Sequence, residues 1–346
     1  MRSPFLAAFA ALALLPATSA CAQPAARAEV PAALRWEVES AGRDPGKVQL
    51  ELDYRTAHNR STYSRTMALA ELQGLTPEAL RGREGPVSFR LARDAGNLDC
   101  RGSAGGGRGG GECRFAPSPA FAAELARRGY GTPTEGQLFQ LAMTDAGVDL
   151  VDELARQHYS RPTLDELVDS GNHGANLAYL REMGGLGYRV GSLQALIRMR
   201  DHGVGPDFVR ELVRAGLTGL SADMLVEMRD HGVSPLYLGE LRRLGFADLP
   251  VRDAIMLRDH GVSAEFAGAF RAAGYAFGPA QLVELRDHGV GGDFVRELRS
   301  LGYTGLAPRE IIRLRDFGVT GAFIRQANGT GPRRSPDELI RMRTGG

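Results

Sequence analysis

The sequence predicts an α+β protein in which a small antiparallel β-domain is followed by an α-solenoid of about eight 29-residue helical hairpins. Three observations carry that prediction. Apolar residues recur with a period of two between Leu34 and about Pro117, as in Val48, Leu50, Leu52 and Tyr54 and again in Val87, Phe89 and Leu91. Arg-Asp-His-Gly-Val stands at Arg200–Val204 and returns at Arg229–Val233, Arg258–Val262 and Arg286–Val290, then as Arg315-Asp316-Phe317-Gly318-Val319, at spacings of 29, 29, 28 and 29. Self-similarity at such a period marks stacked supersecondary units. Finally, 45 glycines against 14 Phe, 9 Tyr and 1 Trp in 346 residues suit many short elements rather than one thick core.

Positions 1–22 have the three-part layout of an export signal: Arg2, an apolar run from Phe5 to Leu15, then Pro16 and the small residues Ala17 to Ala22. Two processing readings compete. Ala20-Cys21-Ala22 fits cleavage before Gln23, while Thr18-Ser19-Ala20-Cys21 resembles a lipobox that would place a lipid anchor on Cys21. The apolar run falls short of the ~20 residues a membrane span needs, and no later segment reaches that length, so no transmembrane span is expected. The expected organisation is a signal peptide over 1–22, a linker over 23–33, the β-domain over 34–117 and the repeats over 118–346. The composition is 43% hydrophobic and 24% charged, with 42 basic against 41 acidic residues, which argues against a disordered chain and gives no electrostatic reason to expect nucleic acid.

Export removes Cys21 from disulfide accounting and leaves Cys100 and Cys113, which an oxidising compartment is expected to bridge. With Gly106-Gly107 as a turn, Cys100 falls opposite Cys113 and Leu98 opposite Phe115, at the ~4.5–5.5 Å Cα separation a disulfide tolerates. Thr76-Pro77-Glu78 predicts an N-cap and a short helix over 77–82, so the β-domain should hold one helix and five or six strands. The glycines from 105 to 111 lead into a strand-like Cys113-Arg114-Phe115 rather than a Gly-Lys-Ser/Thr helix start, so they read as a hairpin tip and not a phosphate loop.

Each repeat spells two helices. In Ser234-Pro235-Leu236-Tyr237 through Leu244-Gly245, serine caps, proline stands first and glycine ends the helix. The second begins near Ser221 and closes at Asp230-His231-Gly232, with Gly232 as the left-handed residue and Val233 as its apolar partner. The same grammar opens the array at Ser118-Pro119 and ends it at Ser335-Pro336-Asp337-Glu338, a capping box. Fainter copies are read at Asn172-His173-Gly174, at Asp145-Ala146-Gly147-Val148 and at Met342-Arg343-Thr344-Gly345. Helices this short are marginal alone, so neighbours must stack through Phe208, Leu212, Leu225, Met228 and their equivalents.

His173, His202, His231, His260 and His288 form a ladder, one per unit. Helices pack ~8–10 Å apart whereas zinc ligands lie ~2 Å from the ion, so neighbouring rungs are poorly placed to share a metal. A catalytic base needs its own nucleophile or orienter, yet the same Arg-Asp-His recurs. The expected job is to finish the helix, with each histidine beside terminal carbonyls and Arg and Asp pairing within or between units, the ladder remaining a candidate binding surface. No His-Glu-x-x-His, Gly-x-Ser-x-Gly or Gly-x-Gly-x-x-Gly stands in a supporting context, and His58 and His158 show no partner. No catalytic residue, metal site or cofactor is expected.

The Leu-Arg-Asp-His-Gly-Val units, Leu301-Gly302-Tyr303 and the stretch from Arg93-Asp94-Ala95-Gly96 to Phe115-Ala116-Pro117-Ser118-Pro119-Ala120-Phe121 resemble the extracytoplasmic carboxy-terminal regions of membrane metallopeptidases of the beta-lactam-sensor type. The resemblance covers about residues 45–346 and does not include the peptidase. It implies a sensing or protein-binding module without the protease. The expected function is an exported, periplasmic or secreted, non-catalytic scaffold that binds a protein or peptide partner of the cell envelope through its repeat surface. The alternative is a ligand-sensing or regulatory module with a small-molecule site where the β-domain meets the repeats.

Overall fold

A computed structural model describes residues 30–345 except 32, 42–43, 45 and 56–59. The signal segment, Cys21, most of the linker and His58 lie outside the described residues. The strands are β1 (Ala33–Ser40), β2 (Lys47–Arg55), β3 (Arg60–Ala68), β4 (Leu72–Gln73), β5 (Gly85–Arg93), β6 (Gly96–Gly105) and β7 (Arg108–Pro117). They form one antiparallel sheet in the order β3-β2-β1-β7-β6-β5-β4. Strict alternation makes this possible: Leu34, Trp36 and Val38 of β1 and Val48, Leu50 and Leu52 of β2 are buried while the residues between them face out. The count exceeds the expected five or six because β4 is a very short strand, Leu72 opposite Leu91, that leaves no pattern in sequence.

At the β6–β7 turn Gly106 and Gly107 have φ of 61° and 89°, the left-handed pair that a tight hairpin turn demands. Cys100 therefore pairs with Cys113 and Leu98 with Phe115. The cysteines are joined by a disulfide with Cα atoms 4.0 Å apart. Helix α1 (Pro77–Arg81) is capped as expected by Thr76, whose Oγ1 accepts from Ala79 N–H at 3.1 Å, and it buries Leu80 completely.

Sixteen helices follow in eight pairs: α2 (Pro119–Arg127) with α3 (Glu135–Thr144), α4 (Val148–Arg156) with α5 (Leu164–Asn172), α6 (Leu177–Gly185) with α7 (Leu193–Asp201), α8 (Pro206–Arg214) with α9 (Ala222–Asp230), α10 (Pro235–Arg243) with α11 (Val251–Asp259), α12 (Ala264–Ala272) with α13 (Pro279–Asp287), α14 (Gly292–Ser300) with α15 (Pro308–Asp316), and α16 (Gly321–Asn328) with α17 (Pro336–Thr344). Even-numbered helices stack on even and odd on odd. Each unit contributes buried residues to one continuous core, among them Leu212, Leu225 and Met228, each at most 1% exposed. The ends obey the predicted grammar. Gly232 has φ 66°, its N–H reaches Arg229 O, and Val233 N–H reaches Met228 O, which together close α9 as a Schellman motif.

One repeat needs re-registering. The residue that closes α3 in the left-handed conformation is Asp145, φ 58°, and not Gly147, which is the N-cap of α4. From Asp145 to Gly174 is again a step of 29, so the period extends unbroken to the first hairpin. His158, with no assigned partner in sequence, fills the equivalent place after α4 with φ 60°, and Tyr159 N–H then reaches Leu154 O. The boundary at 117 separates chain segments but not cores. Phe139 and Met143 of α3 pack into the sheet's apolar interior, where the Phe139 ring meets Tyr54 and Phe115 edge-on at 5.2 and 5.4 Å.

Candidate interaction surface

The five ladder histidines stand as the C-caps of α5, α7, α9, α11 and α13. Each Nδ1 meets the aspartate of the next unit: His173 with Asp201 at 2.8 Å, His202 with Asp230 at 2.6 Å, His231 with Asp259 at 2.6 Å, His260 with Asp287 at 3.0 Å and His288 with Asp316 at 3.1 Å. The expected partnership of Arg with Asp is thereby corrected. Aspartate takes the preceding unit's histidine, and the arginine beside it lies over an aromatic ring on the first helix of its own unit. Arg200 covers Tyr179, Arg229 Phe208, Arg258 Tyr237, Arg286 Phe266 and Arg315 Phe294, with the guanidinium carbon 4.9–5.7 Å from the ring centre. Where the ring is a tyrosine its hydroxyl donates to a valine carbonyl, Tyr179 to Val204 and Tyr237 to Val262, and burial pushes both phenols up to about 12.

The chain itself documents that the His–Asp contacts are inter-unit links. Phe317 stands where a sixth histidine would, and the next unit has Thr344 in place of aspartate. At the other end Thr144 occupies the histidine place and Asn172 the aspartate place. Histidine and its acceptor are lost together. The histidines are 39–47% exposed and their Nδ1 atoms are engaged, so what they offer outward is a row of Nε2 atoms. The pKa of His231 is raised chiefly by the hydrogen bond to Asp259, with further help from Asp259, Asp230 and Glu227 as charges.

The even-numbered helices carry a second link, which sequence reasoning missed. Glu153 is 6% exposed and receives hydrogen bonds from Gln157 at 2.8 Å, Arg156 at 2.7 Å and, from the next unit, Arg181 at 3.0 Å. Those bonds, that of Gln157 foremost, hold its carboxyl below the ordinary range against the cost of burial. Glu182 takes Arg210 in the same way, and Glu297 takes Arg325 at 3.1 Å. The signal was present in the sequence as a recurring Glu-to-Arg step of 28.

Clefts open between successive even-numbered helices. One of about 650 Å³ lies between α14 and α16 and one of about 540 Å³ between α10 and α12. They are the same place in two units, each lined by the stacked ring and arginine (Phe294 with Arg315, Tyr237 with Arg258), the glutamate (Glu297, Glu240) and the next helix's cap (Thr320, Ser263). A third cleft, of about 460 Å³, lies on the outer face of β1 and β2, where Arg60 pairs with Asp53 at 2.9 Å. Thr62 and then Arg60 lower the Asp53 pKa by hydrogen bonding. The junction of sheet and repeats is occupied by the Phe139 ring and by Arg93, which pairs with Glu71 at 2.8 Å and Asp145 at 3.1 Å. The bridged Cys100 and Cys113 face the sheet core, 2% and 6% exposed. Among the described residues no three His, Cys, Asp or Glu side chains gather around a common point suited to a metal ion.

No protein-family model matches the chain, and neither a curated protein nor a solved structure matches it.

Proposed function

We propose that this is an exported, non-catalytic scaffold that binds a protein or peptide of the cell envelope along its helical repeats. The observation that carries the reading is that most of the recurring polar side chains are spent on one another, Glu211 and Glu240 excepted. Histidine is spent on aspartate and glutamate on arginine across unit boundaries, and arginine on an aromatic ring of its own unit. Chemistry assigned to such residues would have to occur identically in every rung, whereas stacking units to make a long surface is what these links achieve. Export is supported by the sequence of residues 1–22 and by the disulfide, a bond favoured outside the cytoplasm; among the described residues no helix is long and apolar enough to cross a membrane.

Site-specific photo-crosslinkers placed on α8, α10, α12 and α14 in cells producing the protein test the reading. Reproducible protein adducts in the envelope fraction are expected. Adduct-free repeats together with a small molecule that copurifies stoichiometrically would overturn it in favour of a sensor.

A further inference from the structure

The Glu–Arg link of the even-numbered helices is interrupted in the middle of the array. Glu153, Glu182 and Glu297 are each the sixth residue after their helix's N-cap, and Arg181, Arg210 and Arg325 the fifth after the next. Glu211 of α8 and Glu240 of α10 hold the same acidic position, but the arginine position opposite them is Gly239 in α10 and Gly268 in α12. Neither carboxylate has an ion-pair partner within 4 Å among the described residues.

These two glycines are not demanded by the backbone. Both lie inside helices, where glycine is the poorest former after proline, and neither has a positive φ. A Cβ on Gly239 would meet no atom within 4 Å, and one on Gly268 only the Leu244 side chain at an ordinary 3.5 Å. At Gly321, by contrast, the Glu297 carboxylate fills the space. Beside the gap over Gly268 the surface turns apolar, Leu236 being 68% exposed. Leu236 and Leu244 line the α10–α12 cleft with Glu240. Exposed Arg214 and Arg243 each stand one helical turn beyond the glutamates, so the strip has an acidic and a basic edge and prescribes the direction of charge in what binds it.

We infer that α8, α10 and α12 form a docking strip for an extended peptide segment of a partner protein that supplies the two missing cations, one basic side chain to Glu211 over Gly239 and one to Glu240 over Gly268, with an apolar side chain between them against Leu236. Units spaced ~8–10 Å correspond to about three residues of extended chain, so the basic residues are three apart. The inference rests on the scaffold reading and gives its partner a chemistry.

The test uses the mature protein and three fluorescent heptapeptides: one with arginines three apart and a leucine between them, its glutamate counterpart, and a version with the same composition but adjacent arginines. Anisotropy should show the first binding at least tenfold tighter than the other two. Gly239→Arg with Gly268→Arg, which restores the residues of the neighbouring units, should abolish that preference while leaving the melting temperature equal or higher, so that lost binding cannot be assigned to lost folding. Glu211→Gln with Glu240→Gln should also lose the preference. Equal affinity for the three peptides, or undiminished binding by the Gly→Arg protein, overturns the docking strip. In envelope crosslinking, adducts that survive the Gly→Arg pair leave the scaffold standing without this strip, whereas a wild-type protein that gives none defeats the scaffold itself.

Discussion

In the β-domain, β1 pairs with β7 so that Leu34 lies opposite Cys113, and α3 reaches back to plug the same core with Phe139. In the array the ladder links join positions 27 or 28 apart, one unit to the next and no further. The sheet is thus closed by contacts distant in sequence that stand or fall together, while the repeats are held by nearest-neighbour terms that can fail one at a time. Substitutions in the two regions should differ in reach as well as size. Cys100→Ala with Cys113→Ala removes a crosslink worth ~3 kcal/mol in the chain-entropy model, the largest effect expected here. Trp36, the only tryptophan and 1% exposed in the sheet core, reports the β-domain by fluorescence, and far-UV dichroism reports the helices. The fluorescence transition should drop well below the dichroism transition. If both fall equally, α3 has fused the two regions into one cooperative unit.

Within the array, Gly232→Val should cost more than His231→Gln. Valine at φ 66° carries ~1–2 kcal/mol of left-handed strain. Glutamine in place of His231 leaves the Schellman closure intact and forfeits only the half-exposed bond to Asp259. Thermal melts followed by dichroism rank the two. Equal losses would mean that the inter-unit pair matters as much as the helix stop, and the nearest-neighbour account would have to be reweighted toward side-chain links.

What could be read in advance follows the same division. Caps, left-handed glycines and the hairpin register are local signals, so Ser221, Gly232, Gly106-Gly107 and the Cys100–Cys113 pairing were legible from a short stretch each. The partner of a histidine was not, because it depends on how far one unit is displaced over the next. Internal comparison could have supplied it, since Phe317 and Thr344 depart from the pattern together. The seventh strand and the joint core at Phe139 left no periodic trace at all; they depend on the sheet's curl and on packing with α3.

A smaller effect separates the regions by pH. The folded pKa of His231 is raised above its unfolded value of ~6.5, so its contribution is complete below ~6.5 and is lost as pH rises through the folded value. The groups that face it are Asp259 from α11 and Asp230 and Glu227 from its own helix. The wild-type helical transition should gain on moving from about pH 8 to about pH 6 relative to Asp259→Asn, in which the acceptor charge is gone. The Trp36 transition should show no such difference between the two proteins. An Asp259→Asn protein with the wild-type pH response would remove the carboxylate as the cause.

The smallest effect concerns zinc. Binding of Nδ1 to aspartate orients each imidazole and leaves Nε2 as its free nitrogen, which is how a metal-ligating histidine is often prepared. Preparation is not a site, however, because successive histidines cap separate helices whose packing distance is ~8–10 Å, against the ~4 Å that separates two ligands of one ion. One imidazole per ion gives weak binding of no fixed stoichiometry. Calorimetry at neutral pH should therefore find no tight site. A submicromolar site that vanished in His202→Ala with His231→Ala would require the rungs to converge, either by a sharp bend in the array or by two molecules meeting ladder to ladder. Sedimentation with and without zinc would tell these apart, since only the second makes a metal-dependent dimer.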